Sequence, residues 1–193
     1  MPKKRVFLSY SHKDSELKDE FLNHFAILKR SDEAELWHDR ELLAGQTVDP
    51  EILERIHESD VFVFLISANF IHSEFCWGKE MHSAMELART GMLATVGIVV
   101  RDADYDGAPF AGQLLLPKDA KAVTSQYWKN HDEAWTNVIK ELRRVCRQFE
   151  KRDDPISKSA SRGPGPSSQP STSKIGLRDG GPPRIQVEVL QPE

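Results

Sequence analysis

Two periods of apolar residues alternate along the first 150 positions of the chain. Short continuous runs have the length and the β-branched and aromatic content of buried strands: Arg5-Val6-Phe7-Leu8-Ser9-Tyr10, Val61-Phe62-Val63-Phe64-Leu65-Ile66 and Val96-Gly97-Ile98-Val99-Val100. Ala34 to Trp37 predicts a shorter strand, and Ala120 to Ser125 a weaker fifth. Between the runs, apolar residues recur at helical spacing. Asp14 reads as the cap of a helix through Arg30, with Leu17, Phe21, Phe25 and Leu28 on one face. Asp49-Pro50 joins a cap to a proline at the first helical position, and Ile52, Leu53 and Ile56 form the stripe that follows. A further helix is predicted from about Phe75 to Thr90, closed by Gly91. Asn130 and Glu133 resemble a capping box before a last helix carrying Trp135, Val138, Ile139, Leu142, Val145, Cys146 and Phe149.

Strand–helix alternation of this kind predicts an α/β domain over residues 4–150, an open parallel sheet with helices on both faces. Ligands bind such sheets at the carboxyl ends of the strands, which selects Ser9-Tyr10-Ser11, Trp37-His38-Asp39 and Ile66-Ser67 as crevice residues. The pattern stops after about Lys151. From Pro155 to Pro183, Gly, Pro and Ser supply 18 of 29 residues. Residues 151–183 therefore read as a flexible linker that cannot bury enough apolar surface to offset its chain entropy. Residues 184–193 contain the strand pattern Arg184-Ile185-Gln186-Val187-Glu188-Val189-Leu190. A lone strand is not stable, so this segment is either a docking tail or the start of a further domain.

Composition narrows the function classes. Charged residues make up 29% and apolar residues 39% of the 193, and the formal net charge is −4. Neither nucleic acid nor an anionic membrane is an expected partner. No apolar segment follows the basic start Pro2-Lys3-Lys4-Arg5, and Val61 to Phe70 is roughly half the length of a spanning helix. Cys76 and Cys146 give neither a disulfide framework nor metal-ligand spacing, so a reducing cytoplasm and no metal are expected. The common phosphate loops, the zinc-protease helix and the nucleophile elbow are all missing from the sequence. The seven histidines are scattered. His24, His57 and His82 fall within helices, while His12 and His38 lie near strand ends where a ligand could reach them.

One carboxylate is out of place. On a wheel of ~100° per residue centred on Trp77, Met81, Ala84, Met85 and Ala88 form an apolar arc. Gly78, Lys79, His82, Ser83 and Glu86 lie opposite, and Glu80 is the one charge inside the arc. A buried carboxylate is costly unless it is paired or put to use. Ordinary glycosidases need two carboxyl groups because the leaving oxygen must be protonated. A nicotinamide leaves a pyridinium as a neutral molecule, so one carboxylate suffices to hold the ribose hydroxyls and stabilise the oxocarbenium charge. Trp77 could stack beside it or exclude water.

These residues resemble a TIR domain of the bacterial type. Val6 to Asp14 is similar to the family's first box. Leu36-Trp37-His38-Asp39-Arg40 with Leu43-Ala44-Gly45-Gln46 is similar to its second box and BB loop. Ser73 to Glu80 is similar to the segment with the catalytic glutamate, Tyr127-Trp128 to the aromatic pair of the third box, and Leu116-Pro117-Lys118-Asp119 to the bacterial subgroup. The order Cys76-Trp77 departs from the usual Trp-Cys, and Leu43-Ala44-Gly45 from the proline-glycine of many adaptors. The resemblance implies a flavodoxin-like five-stranded fold. It implies NAD as substrate rather than cofactor, cleaved to nicotinamide and ADP-ribose or a cyclic product. It implies activation by TIR–TIR assembly through the BB loop, about Arg40 to Val48, and a role in bacterial anti-phage defence or signalling. By position, Glu80 is the catalytic residue, and Ser11, Trp37, Asp39 and Trp77 are candidates for the substrate pocket. Two other readings stay open: a non-catalytic adaptor acting by homotypic association, and a nucleoside deoxyribosyltransferase with similar single-glutamate chemistry.

Overall fold

The computed structural model describes residues 2–38 and 50–151. Asp39, the BB loop and everything beyond Lys151 lie outside these residues. Five strands form one parallel sheet in the order β2-β1-β3-β4-β5: β1 (Lys4–Ser9), β2 (Ala34–His38), β3 (Val61–Ile66), β4 (Ala94–Val99) and β5 (Leu114–Leu116). The register pairs Leu8 of β1 with His38 of β2 on one side, and Ser9 with Phe64 of β3 on the other. Crossover helices cover both faces. The helices α1 (Ser15–Arg30) and α6 (His131–Gln148) lie on one face, and α2 (Pro50–Glu58) and α5 (Lys79–Thr90) on the other. Every residue of β3 is buried, because the central strand is covered on both sides. Its side chains alternate between the two layers: Val61, Val63 and Leu65 meet α1 and α6, while Phe62, Phe64 and Ile66 join the α2–α5 layer.

The structure revises several expectations. The fifth strand is Leu114–Leu116, not Ala120 to Ser125. The latter stretch forms turns, although Val123 and Thr124 donate backbone hydrogen bonds to Val99 and Val100 just past the end of β4. It is a satisfied loop where hydrophobicity suggested a strand. The predicted helix over residues 75–90 is two: α4 (Glu74–Trp77) and α5, separated by Gly78. A short α3 (Ala68–Ile71) precedes them. Gly91 ends α5 at φ 77°, as its left-handed cap requires. Asn130 accepts from the Glu133 N–H, and the Glu133 carboxylate accepts from the Lys129 N–H, so the capping box closes one residue earlier than the standard pattern.

The layer around α1 and α6 is tied at its rim. The Glu33 carboxylate accepts hydrogen bonds from Arg147 and Ser31, and Arg143 Nε lies 3.2 Å away without hydrogen-bonding geometry. Burial works to raise the Glu33 pKa, but the hydrogen bonds and cationic charge outweigh it and hold it below its ordinary 4.5. A lowered carboxyl pKa adds stability above the unfolded-state value and loses it as pH falls through the folded value. Wild type should therefore be more stable than Glu33→Gln at pH 7, and chemical denaturation should show that difference shrinking through the acidic carboxylate range. At the end of the described residues, Lys151 Nζ donates to the carbonyls of His57 and Ser59 at the end of α2.

Gly97, in the middle of β4, leaves room for side chains of the strands on either side of it, β3 and β5. A Cβ there would stand 2.7 Å from Leu115 Cδ2 and 2.8 Å from Ile66 Cδ1. These atoms sit in a packed layer and cannot swing clear at no cost. Gly97→Ala should destabilise the domain by about 1–3 kcal/mol, seen as a lower urea midpoint with an unchanged slope.

Candidate functional site

The crevice at the carboxyl ends of the strands is built around a buried acid. Asp14, which sequence reading assigned to a helix cap, makes no side-chain cap hydrogen bond. It is 0% exposed. One oxygen accepts from Ser67 Oγ at 2.5 Å, just beyond β3. The other accepts from Arg101 Nε at 3.0 Å, just beyond β4, and more distantly from Asn69 Nδ2. Ser67 Oγ in turn accepts from the Phe70 N–H and so caps α3. One carboxylate thus fastens the segments that follow three adjacent strands. The ion pair is half wet, since the Arg101 side chain is 47% exposed. The signal for Arg101 was a cation placed directly after an apolar strand. Ser67 had been placed in the crevice, but neither its bond to Asp14 nor Asn69 had a sequence signature.

Glu80 is 8% exposed, in the first turn of α5. That turn starts on the same edge of the sheet, because the chain reaches it from the carboxyl end of β3 through α3 and α4. Met81 and Ala84 of the same helix are buried in the α2–α5 layer. No hydrogen bond or ion pair joins Glu80 to another described residue. Its position explains how the charge is tolerated. Gly78 is an extended cap and Glu80 lies in the first turn of α5, the end of a helix where its dipole favours negative charge. Gly78 is therefore a helix boundary and not part of one continuous helix from Phe75 to Thr90.

The break at Gly78 also removes the wheel that set Trp77 beside Glu80. Trp77 is 51% exposed, and its indole N–H donates to the Ile71 carbonyl at 2.7 Å. Ser11 lies in the turn after β1, half-buried, with its carbonyl accepting from the Asp14 N–H. Trp37 packs on Phe7, ring centroids 4.9 Å apart, and carries the Arg55 guanidinium 5.4 Å from its own ring. It also lines a cavity of about 320 Å³ along β2, with Arg5, Arg55 and Glu58. Neither Glu80, Ser11 nor Trp77 borders that cavity. Its charges are largely offset, Glu58 lying 3.9 Å from Arg5 and 3.7 Å from Arg55. The strand-end crevice is the better candidate, because unpartnered polar groups are found there.

Those groups are Ser9 Oγ, His12 Nε2 and His38 Nδ1. Each is buried and has no hydrogen-bond partner. Other chemistries find little support. Cys146 is buried on the opposite face, where desolvation and the nearby Glu33 charge push its thiol up to about 11, so no thiolate nucleophile forms. Among the described residues no cluster of three or more His, Cys, Asp or Glu could hold a metal ion. No described helix is long and apolar enough to cross a membrane.

The Asp14 bridge should govern the stability of this edge. Asp14→Asn puts an amide where Ser67 and Arg101 both donate, and should cost about 2 kcal/mol in urea unfolding. A variant as stable as wild type would show that the charge does not hold the segments together.

Known proteins agree with this architecture. The TIR domain family model matches residues 6–144. An uncharacterised protein, y4lF, of Sinorhizobium fredii is 33% identical over 173 residues, which is 90% of this chain and 53% of that protein. The disease resistance protein RML1A of Arabidopsis thaliana is 31% identical over 72 residues, 37% of this chain and 7% of that protein. The chain thus spans about half of the first relative and a small part of the second. Among solved structures, the TIR domains of the activated Roq1 resistosome, which directly recognises the effector XopQ, superpose with a TM-score of 0.52 at 17% identity. That match covers 72% of this chain and 99% of the other. With the sheet order, the crossovers and a family match over most of the described residues, the chain belongs to the TIR domain family.

Proposed function

We propose that this TIR domain is an NAD nucleosidase and that Glu80 is its catalytic carboxylate. The supporting observation is the acid itself: nearly buried, without a partner, and at the edge where α/β sheets bind ligands. A structural carboxylate in that position would normally be paired or fully wet. Here the carboxylate is free to accept hydrogen bonds from ribose hydroxyls and to face the charge that develops at C1′. The bond between C1′ and the nicotinamide nitrogen breaks, and its electron pair returns to the pyridinium ring, which leaves neutral. Water adds to the oxocarbenium ion and loses a proton, giving ADP-ribose; attack by an adenine nitrogen of the same molecule would give a cyclic product instead. Ser11, Trp37, Asp39 and Trp77 are proposed to line the pocket. Assembly through residues 40–48 would raise the active population, and depletion of NAD fits a role in defence signalling in the cytoplasm.

Purified protein incubated with NAD should release nicotinamide at a rate that climbs steeply with protein concentration. Glu80→Gln, nearly the same shape, should lower that rate by at least about a hundredfold while circular dichroism stays unchanged. Normal turnover in the variant would sink the assignment.

A second reading has its own observation. Trp77 is half-exposed yet held by its indole N–H, the form of a rigid aromatic anchor at a protein interface. If the domain acts by homotypic association alone, Trp77→Ala should abolish concentration-dependent sedimentation and Glu80→Gln should have no effect on any output.

A further inference from the structure

On the side of β1 the sheet ends at an open strand. Among the described residues β2 pairs with β1 alone. Successive residues of a strand turn their N–H and C=O groups to opposite sides. About half of the backbone groups of β2 therefore point away from the sheet, and no described residue meets them. Such an edge is a template for another strand, and folded proteins usually cover it. The side chains of β2 are also less covered than those of the centre. Leu36 and Trp37 are half-buried, whereas every residue of β3 is buried. The cavity of about 320 Å³ runs along this edge. Lys29 and Leu36 line it from the α1 layer, Trp37 and Arg55 from the α2 layer. It is a groove at the margin of the sheet. Its side-chain charges are largely offset, so what it leaves unmet is backbone.

We propose that residues 184–190 of this same chain occupy the groove and add to β2 as a sixth strand. This does not rest on the nucleosidase reading. Three observations select this occupant. The first is pattern: Arg184-Ile185-Gln186-Val187-Glu188-Val189-Leu190 alternates as a strand does, and a strand satisfies an open edge along its length. The second is facing. Leu36 belongs to the apolar α1 layer, while Trp37, Arg5 and Arg55 line the groove from the other side of the sheet. A strand beside β2 divides its side chains the same way. Ile185, Val187 and Val189 extend the apolar side at Leu36, and Gln186 and Glu188 meet the side that carries the two arginines. The third is tethering. Lys151 is held at the Ser59 carbonyl, and Ser59 itself lines the groove, so the chain departs from the groove's own wall. The 32 residues from 152 to 183 are rich in Gly, Pro and Ser. A chain of that kind has a root-mean-square span of roughly 30 Å, ample for the crossing. The tether also raises the local concentration of the segment, so a weak strand contact suffices. The other edge strand, β5, has three residues and is a short template for such a segment. Once covered, the β2 edge is closed to pairing with a second copy of the chain.

The test is amide hydrogen exchange in the full chain, read residue by residue by NMR and repeated at two protein concentrations. Its partner is the double variant Val187→Pro, Val189→Pro, which removes two ladder donors from the segment and leaves the domain untouched. In wild type both sets of β2 amides should be protected, those facing β1 and those facing outward. In the variant the outward set should exchange at least about tenfold faster, while the amides of β1 and β3 keep their rates. Nitrogen relaxation should show residues 185–189 as rigid as β2 in wild type and released in the variant. Outward amides that exchange in wild type as fast as in the variant would overturn the proposal. Protection that survives the two prolines would overturn it as well, by assigning the cover to another segment. Protection that rises with protein concentration would give the edge to a second copy and not to this segment.

Discussion

A single buried negative charge organises the edge of this sheet. Asp14 has no contact with solvent, so its carboxylate must find donors inside the protein. It finds them on segments that follow β3 and β4, while its own segment follows β1. Removing any one donor leaves the charge less well compensated, so the three segments are held to one mutual arrangement. A parallel sheet alone would not do this. Its ladders fix the strands, but the loops beyond them are free to vary. The bridge turns the carboxyl edge into a rigid rim on which further polar groups can be held in place.

That rigidity gives meaning to the groups with no partner. Glu80, Ser9, His12 and His38 each carry an unmet polar capacity. On a mobile edge such groups would relax toward water or toward each other. On a fixed edge they remain poised, at a cost in stability that the two apolar layers offset. The same logic separates the crevice from the cavity along β2. In the cavity, acids and bases lie side by side and little is left for a ligand to satisfy.

Much of the fold could be read from hydrophobic period, because β3 and the stripes of α1 and α6 are fixed by burial alone. The fifth strand could not. Ala120 to Ser125 and Leu114 to Leu116 are both short and apolar, and only tertiary pairing decides which joins β4. Glu80 was legible as a charge among apolar neighbours, even though the single helix used to see it is divided at Gly78. For Trp77 the wheel has no force, since a periodic argument fails across a break in the period. Asp14 does stand at the N-cap of α1, but its side chain makes no cap bond and serves elsewhere. Its true partners lie more than fifty residues away, and no local pattern announces them.

The fastening of Lys151 to the end of α2 fixes where the chain leaves the domain. Helix α6 ends at Gln148, yet three residues later the chain is attached to the opposite layer through the carbonyls of His57 and Ser59. The end of α2 held in this way belongs to a helix that packs on α5. Lys151 thereby joins the two layers at one point: the backbone leads back into α6 and the ammonium into the end of α2, so the chain leaves the domain at a seam between its two faces.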